Sequence, residues 1–436
     1  MTRIADFDIA NDLKVEFYLP KGDHLFIIGI SKLGSSDLMN SSGQFVLGTS
    51  LLGGTDILGA SGFEWRDLAC EAAQVELAIG GSVQSEIYFQ PSPATASITL
   101  QSLEYDPNVN SAFRPGTPVR IRLEKDAVNE VIFQGTVDVI GGTYVVDGYN
   151  RLSVSAYDDF KEIANTRIAL FDTDTDYPAG FVTPYEQLEI IAEQVGSAMH
   201  PDSVDNGGEI PSVIETDIIP SRKILDAIQV GLGLFWLDPA TQEFVFVPRP
   251  DASIIPDFPA GAGYFTLGTS LLGGVDVLGS GDPVWTIGNN HEDYYHLCMS
   301  NIVTRADSDV VSNSLKVSLA SDEATNVVIE NQDSIDLYGK FAIDVSLNTT
   351  DLDELERWAN AVYNQSPTNL VQSVETPAID RTNNLTEAAF FKPGQLVGVK
   401  YTNSVLAISD FYTTTKVSHY ITPDNWLTTL ELWKEA

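Results

Sequence analysis

Cysteine, histidine and basic residues are all scarce in this chain of 436 residues. The two cysteines, Cys70 and Cys298, lie far apart in sequence. That excludes a disulfide framework and fits reduced thiols in a cytoplasm. Five histidines leave little for a metal centre. His291 and His296 lie close together with Glu292 and Asp293 between them. Their spacing is not His-Glu-x-x-His, so solvated or packing histidines are the expectation. Lys and Arg number 24 against 61 Asp and Glu, a net charge of −37. A protein that grips nucleic acid needs clustered cations, so stable nucleic-acid binding is excluded. The same acidity repels anionic membranes. No apolar run approaches the roughly 18 residues of a membrane span. The opening Met1-Thr-Arg-Ile-Ala-Asp-Phe-Asp8 lacks a signal peptide's apolar core, so secretion is not expected.

Chemical signatures are equally thin. Asp172, Asp174 and Asp176 alternate as in a calcium loop, but Tyr177 holds the sixth position and Thr183 the twelfth. An EF-hand needs glycine and glutamate there. Cys298 has no evident base partner, and among 61 acids no carboxylate pair stands out for glycoside cleavage. No catalytic, cofactor-binding or metal-binding residue is therefore assigned, and a non-enzyme is expected.

What the chain does contain is a stretch written twice. Phe45-Val-Leu-Gly-Thr-Ser-Leu-Leu-Gly-Gly-Thr-Asp-Ile-Leu-Gly59 returns as Phe265-Thr-Leu-Gly-Thr-Ser-Leu-Leu-Gly-Gly-Val-Asp-Val-Leu-Gly279. The only changes are Val46/Thr266, Thr55/Val275 and Ile57/Val277, all β-branched. The two copies are 220 positions apart, as are Trp65 and Trp285. Such self-similarity marks an internal repeat. Short aliphatic legs end in glycines, which permit reversals of direction. The stretch lacks the second glycine of a nucleophile elbow and the lysine of a phosphate loop. Its apolar side chains, worth about 1.5–3 kcal/mol each when buried, need cover. Either both copies join one core, or they touch another subunit. The candidate subunit-contact residues are Phe45, Leu47, Leu51, Leu52, Ile57 and Leu58, with Phe265, Leu267, Leu271, Leu272, Val277 and Leu278.

A chain this long holds roughly two to four domains. Around the repeats it alternates in strand fashion. Examples are Gln74–Ala78, Ala96–Leu103, Val119–Leu123, Val131–Val139 and Leu152–Ala156 near one end. Leu396–Tyr401, Asp410–Val417 and Leu427–Leu432 lie near the other. Between them the period lengthens. Thr183-Pro184 predicts a helix start, and Ser221 predicts a second cap. Thr350 predicts the start of a third helix, stopped by Pro367. A fainter duplication joins Arg114-Pro115-Gly116 to Lys392-Pro393-Gly394, with Val137 and Val417 following at similar distances. Pro115 and Pro393 are 278 apart, so this offset differs from that of the repeat.

The expected fold is mainly β with α+β inserts: two related small β-barrel modules flanking an α+β middle. The expected domains are an N-terminal extension with the first repeat (1–62), a first barrel module (63–160) and an α+β middle (161–255). A second repeat arm (256–300) and a second barrel module with a helical insert at 350–366 (301–436) follow.

Several stretches resemble the hub proteins of phage tail tips and baseplates, particularly the minor tail proteins of long-tailed phages. These are Ala94-Thr-Ala-Ser-Ile98-Thr-Leu100 leading into Arg114-Pro-Gly116, and Ser334-Ile-Asp-Leu-Tyr338-Gly339 ahead of the Thr350–Gln365 helix. The ending Lys392-Pro-Gly394, Val417-Ser-His419-Tyr-Ile421 and Trp426-Leu-Thr-Thr-Leu430 also looks like that family. The resemblance covers most of residues 70–436 and implies a non-enzymatic homotrimer without cofactors, in which duplicated barrels make a pseudo-sixfold ring. It implies assembly in a host cytoplasm and a place at the virion tail tip. The implied partners are the distal tail or tail-tube protein, the tape-measure protein's C-terminus and a central fibre or tip protein. An acidic lumen would let DNA pass without sticking. Two alternatives stand beside it. One is a carbohydrate-binding host-recognition module, with Trp236, Tyr294 and Tyr295 as stacking platforms. The other is a tail-associated wall hydrolase.

Overall fold

The computed structural model describes residues 12–20, 63–84, 88–102, 105–109, 113–125, 128–145, 150–170, 180–205, 207–212, 215–248, 285–289, 297–305, 313–350, 352–363, 370–379 and 385–434. The chain forms two compact units: Met1–Leu77 with Thr95–Asp159 and Tyr420–Asn425, and Ala78–Ala94 with Phe160–His419 and Trp426–Ala436.

The first unit is built from strands. They are β1 (Leu13–Pro20), β2 (Phe63–Asp67), the first half of β3 (Ala72–Gln84), β5 (Thr95–Leu100), β6 (Pro118–Lys125), β7 (Val128–Thr143) and β8 (Arg151–Tyr157). Short β4 (Tyr88–Pro91) pairs with the other half of β3. The order across the first unit's sheet is β3-β5-β8-β7-β6-β1-β2. Alternation makes these strands, since one face of each must leave water. Ile98 and Leu100 on β5, Val119, Ile121 and Leu123 on β6, and Leu152 and Val154 on β8 are wholly buried. From β1 come Leu13, Val15 and Phe17, and Phe17 meets Phe113 edge-on at 5.0 Å between ring centroids.

The second unit opens with helix α1 (Phe160–Ile163) and β9 (Ile168–Leu170), then β10 (Phe181–Val182) and α2 (Pro184–Gln194). Thr183 caps α2 in a capping box: its hydroxyl accepts from the Glu186 backbone N–H, and the Glu186 carboxylate accepts from the Thr183 N–H. Next come β11 (Ile210–Pro211), β12 (Glu215–Ile218), α3 (Pro220–Gly231) and the hairpin of β13 (Gly233–Leu237) and β14 (Phe244–Pro248). Ser221 does not cap α3. The cap position is Ile219, without a side-chain hydrogen bond, and Pro220 is the first helical residue. Proline's fixed φ starts the helix without a capping side chain. At the far end Leu232 takes φ 47°, where glycine is usual. Packing holds it there, because Leu232 is buried with Leu315, Val317, Leu347 and Trp358.

The strands β15 (Trp285–Gly288), β16 (Leu297–Cys298) and β17 (Asn301–Arg305) follow. A small sheet then forms from β18 (Ser314–Leu319), β19 (Asn326–Glu330) and β20 (Ala342–Leu347), with α4 (Gln332–Tyr338) between the last two. Helix α5 (Leu352–Val362) packs on it through Leu355, Trp358 and Ala359. The Trp358 indole N–H donates to the Gln229 carbonyl of α3 at 2.9 Å. The chain ends in β21 (Leu370–Pro377), β22 (Leu396–Thr402), β23 (Ala407–Thr422) and β24 (Asn425–Lys434).

The strand order of the first unit recurs in the last part of the chain. β6 pairs with β7, β7 with β8, and β8 with β5. In the same way β22 pairs with β23, β23 with β24, and β24 with β21. β7 and β23 are each 16 residues long. On the far side of the first strand, β1 flanks β6 and β15 flanks β22. The directions differ: β1 runs antiparallel to β6, whereas β15 runs parallel to β22.

Candidate functional site

All twelve candidate contact residues fall outside the described residues: Phe45, Leu47, Leu51, Leu52, Ile57, Leu58, Phe265, Leu267, Leu271, Leu272, Val277 and Leu278. The same is true of Asp172, Asp174, Asp176, His291, His296, Tyr294 and Tyr295. What the structure does place is the root of each repeat, and both roots lie beside a Pro-Gly turn.

The two turns are the same local structure. In the first, the Gly116 N–H donates to Val137 O at 2.8 Å and the Val137 N–H donates to Thr117 O at 2.9 Å. In the second, the Gly394 N–H donates to Thr414 O at 2.7 Å and the Thr414 N–H donates to Gln395 O at 2.8 Å. The side chain after each glycine accepts from the backbone three residues back. The Arg114 N–H donates to Thr117 Oγ1 at 3.3 Å, and the Lys392 N–H to Gln395 Oε1 at 3.0 Å. Both glycines have positive φ, 90° and 82°, which disfavours any side chain. The partner of Val137 is therefore Thr414, not Val417. Buried valines recur along any strand face, so apolar spacing alone could not fix the match.

The first repeat hangs between Pro20 and Phe63, which are paired residues of β1 and β2. Phe17 of β1 pairs with Val119 of β6, so β1 ends running toward Gly116. The second repeat lies between Pro248 and Trp285. Trp285 pairs with Val397, three residues beyond Gly394. Val247, just before Pro248, lies over Gly394: a Cβ on that glycine would meet its Cγ2 at 2.6 Å. The described residues that flank each repeat thus lie near that module's turn, although the offsets in sequence differ.

Beside the first root an aromatic ledge crosses the outer face of β1 and β2. Tyr18 stacks on Phe63 at 5.4 Å and tilts against Trp65 at 5.2 Å. The Arg120 guanidinium sits 4.2 Å over the Trp65 ring. Tyr18 and Phe63 are 38% and 52% exposed, so the ledge faces solvent. Phe63 and Trp65 alternate at strand spacing, a signal readable in the sequence but unused until β1 is known to lie alongside.

Below the ledge sits a buried carboxylate. Glu16 Oε2 accepts from Arg120 Nε at 2.6 Å and Arg122 Nε at 2.8 Å, and Oε1 accepts from Arg122 Nη2 at 3.0 Å. Burial alone would raise the Glu16 pKa. The bonds from Arg122 and Arg120 outweigh it and hold the carboxyl below its usual value. Glu16→Gln is expected to cost about 2 kcal/mol at pH 7. It strands two guanidiniums, tempered by their partial exposure. Because the folded pKa is lowered, this stabilisation exists above the unfolded pKa and fades as pH falls through the folded one. Urea unfolding at pH 7 checks it, and an unchanged midpoint would show that the pair contributes nothing.

Two further chemistry-bearing groups, His419 and Trp236, are packed inside. His419 is buried, with Nδ1 within 3.2 Å of the Trp426 indole nitrogen and 3.0 Å of Thr428 Oγ1. Trp236, an expected stacking platform, is 7% exposed and packs in the β13–β14 hairpin, so it offers no open ring face. Cys70 and Cys298 are exposed, and no disulfide joins them. Among the described residues no cluster of His, Cys, Asp and Glu could hold a metal, and no helix is long and apolar enough to cross a membrane.

No family model matches the sequence, and no curated protein does. Solved structures do match. A tail protein from Neisseria meningitidis MC58 is similar over 85% of this chain and 94% of its own, with a TM-score of 0.53 and 12% identity. A 43 kDa tail protein of prophage MuSo2 from Shewanella oneidensis is similar over 85% of this chain and 95% of its own, with a TM-score of 0.50 and 12% identity. The fold is that of phage tail proteins.

Proposed function

We propose, starting from that shared tail-protein fold, that this chain is the structural hub of a phage tail tip. Three copies form a ring. The two related strand sets of each copy, each curled as a small barrel, alternate to give a pseudo-sixfold face. That face meets the sixfold distal tail or tail-tube protein, and the threefold side carries a central fibre or tip protein. The tape-measure C-terminus rests in the lumen before ejection. The recurrence of one strand order with twin Pro-Gly turns carries this reading, because a threefold ring needs two equivalent modules per chain to present six. The charge of −37 supports a lumen that DNA crosses without binding. The repeats then serve as clasps, one rooted beside each turn, that bury their aliphatic residues on neighbouring subunits. No catalytic step is part of the role.

Sedimentation and negative-stain imaging test it. A threefold particle with a central hole supports the hub, and a monomer at all concentrations removes it. The exposed Tyr18–Phe63 stack favours one second reading, carbohydrate recognition, since sugars stack on open aromatic faces. Glycan-array binding lost in Phe63→Ala, with no ring formed, would favour that reading instead.

A further inference from the structure

The twin turns share their hydrogen bonds but not their surroundings. The second turn is covered within its own unit. The Lys392 ammonium pairs with Asp238 Oδ2 at 3.2 Å, and Pro393 is buried. Gly394 lies under Val247 and Trp236 of the β13–β14 hairpin. Among the described residues nothing covers the first turn. Arg114, Pro115 and Gly116 are all exposed, and a Cβ on Gly116 would meet nothing within 4 Å among the described residues. The Arg114 guanidinium has no ion pair or hydrogen bond among the described residues, although its backbone is pinned by Thr117. A rigid turn that presents an unpaired cation and a proline ring is a shaped contact point.

We propose that Arg114-Pro115-Gly116 is a contact site for a second copy of this chain. The incoming copy sets a carboxylate against Arg114 and apolar side chains over Pro115, as Asp238 and the β13–β14 hairpin do for Lys392 and Pro393. This rests on the ring reading above. Two observations select another copy as the occupant. The covered twin shows the kind of surface that fits such a turn, a carboxylate beside an apolar patch, which another part of a second copy would have to supply. Its 61 acidic residues against 24 basic ones also make a second copy a carboxylate-rich partner for an unpaired arginine.

The test compares the full-length chain with Arg114→Asp and, as a control, Arg151→Asp at an exposed position of β8. Sedimentation over a concentration series reads assembly, and circular dichroism with thermal melting reads the fold. The expected result is a roughly ten- to hundredfold weaker assembly for Arg114→Asp with an unchanged melt, and wild-type assembly for Arg151→Asp. If Arg114→Asp does not fold, Arg114→Gln reads the same loss with charge removed rather than reversed. Assembly of the Arg114 variant as tight as wild type overturns the contact and leaves the ring reading intact. A lowered melting temperature with intact assembly also overturns it, because the turn would then be covered within its own chain. A wild-type chain that stays monomeric removes the ring reading as well.

Discussion

Deleting residues 45–59 is expected to abolish assembly while leaving a folded monomer. The deleted stretch lies between Pro20 and Phe63, which pair with each other in the β1–β2 ladder. Shortening the connection between two paired residues changes loop-closure entropy only slowly with length. The buried Leu13, Val15 and Phe17 of the first unit's core lie outside the deleted stretch. Assembly is another matter. Six aliphatic side chains, Val46, Leu47, Leu51, Leu52, Ile57 and Leu58, leave with the deletion. A buried anchor at an interface commonly contributes about 2 kcal/mol or more. Losing several at once moves the dissociation constant beyond any practical protein concentration. Deleting 265–279 is expected to do the same, since that stretch carries the matching set of aliphatic side chains. Sedimentation reads assembly and circular dichroism reads the fold. A deletion that unfolds the chain would sink the clasp reading and establish both copies as parts of the core.

The second large effect concerns acid. Burial pushes the His419 imidazole down to about 4. In the unfolded chain it titrates near 6.5. As pH falls below 6.5 the unfolded state takes up a proton that the folded state refuses, so stability drops until about pH 4. The full loss is roughly 3 kcal/mol. Geometry explains the refusal. Nδ1 already accepts from the Trp426 indole N–H, and a protonated ring would turn that acceptor into a donor facing a donor. His419→Gln is expected to show a smaller loss than wild type between pH 6.5 and 4, measured by urea unfolding at each pH. Carboxylates elsewhere titrate equally in both proteins and cancel in the comparison. Parallel pH curves for the two proteins would show that His419 does not carry the effect.

Local signals in the sequence were readable where one short motif carries its own physics. Thr183-Pro-Tyr-Glu186 states a helix start through proline's φ and a reciprocal cap, and the structure has both. The alternating apolar residues of β6, β8 and β24 state strands. What depends on distant pairing was not readable. Val131–Val139 alternates as a strand, but β7 runs from Val128 to Thr143 because β6 and β8 both pair along it. Val417 resembles Val137 in type and spacing, yet a hydrogen-bond register assigns Thr414 instead. The strands that flank the repeats could not be matched from the sequence for the same reason. The offsets of 220 and 278 differ, and only strand pairing places β1 beside β6 and β15 beside β22, one ahead of its repeat and the other after it. The aromatic ledge needed Tyr18 brought alongside Trp65, a pairing of residues far apart in the chain.

The opposed directions of β1 and β15 have a consequence for how such proteins diversify. A sheet's apolar face is set by which side chains alternate inward, not by the direction in which the strand runs. One module therefore closes its flank with a strand that precedes its repeat, and the other with a strand that follows it. If the repeats are clasps, as proposed, each is a cartridge that plugs into the same socket, after the flanking strand in one module and before it in the other. New attachment specificities can then be traded in at the socket while the scaffold beneath stays unaltered.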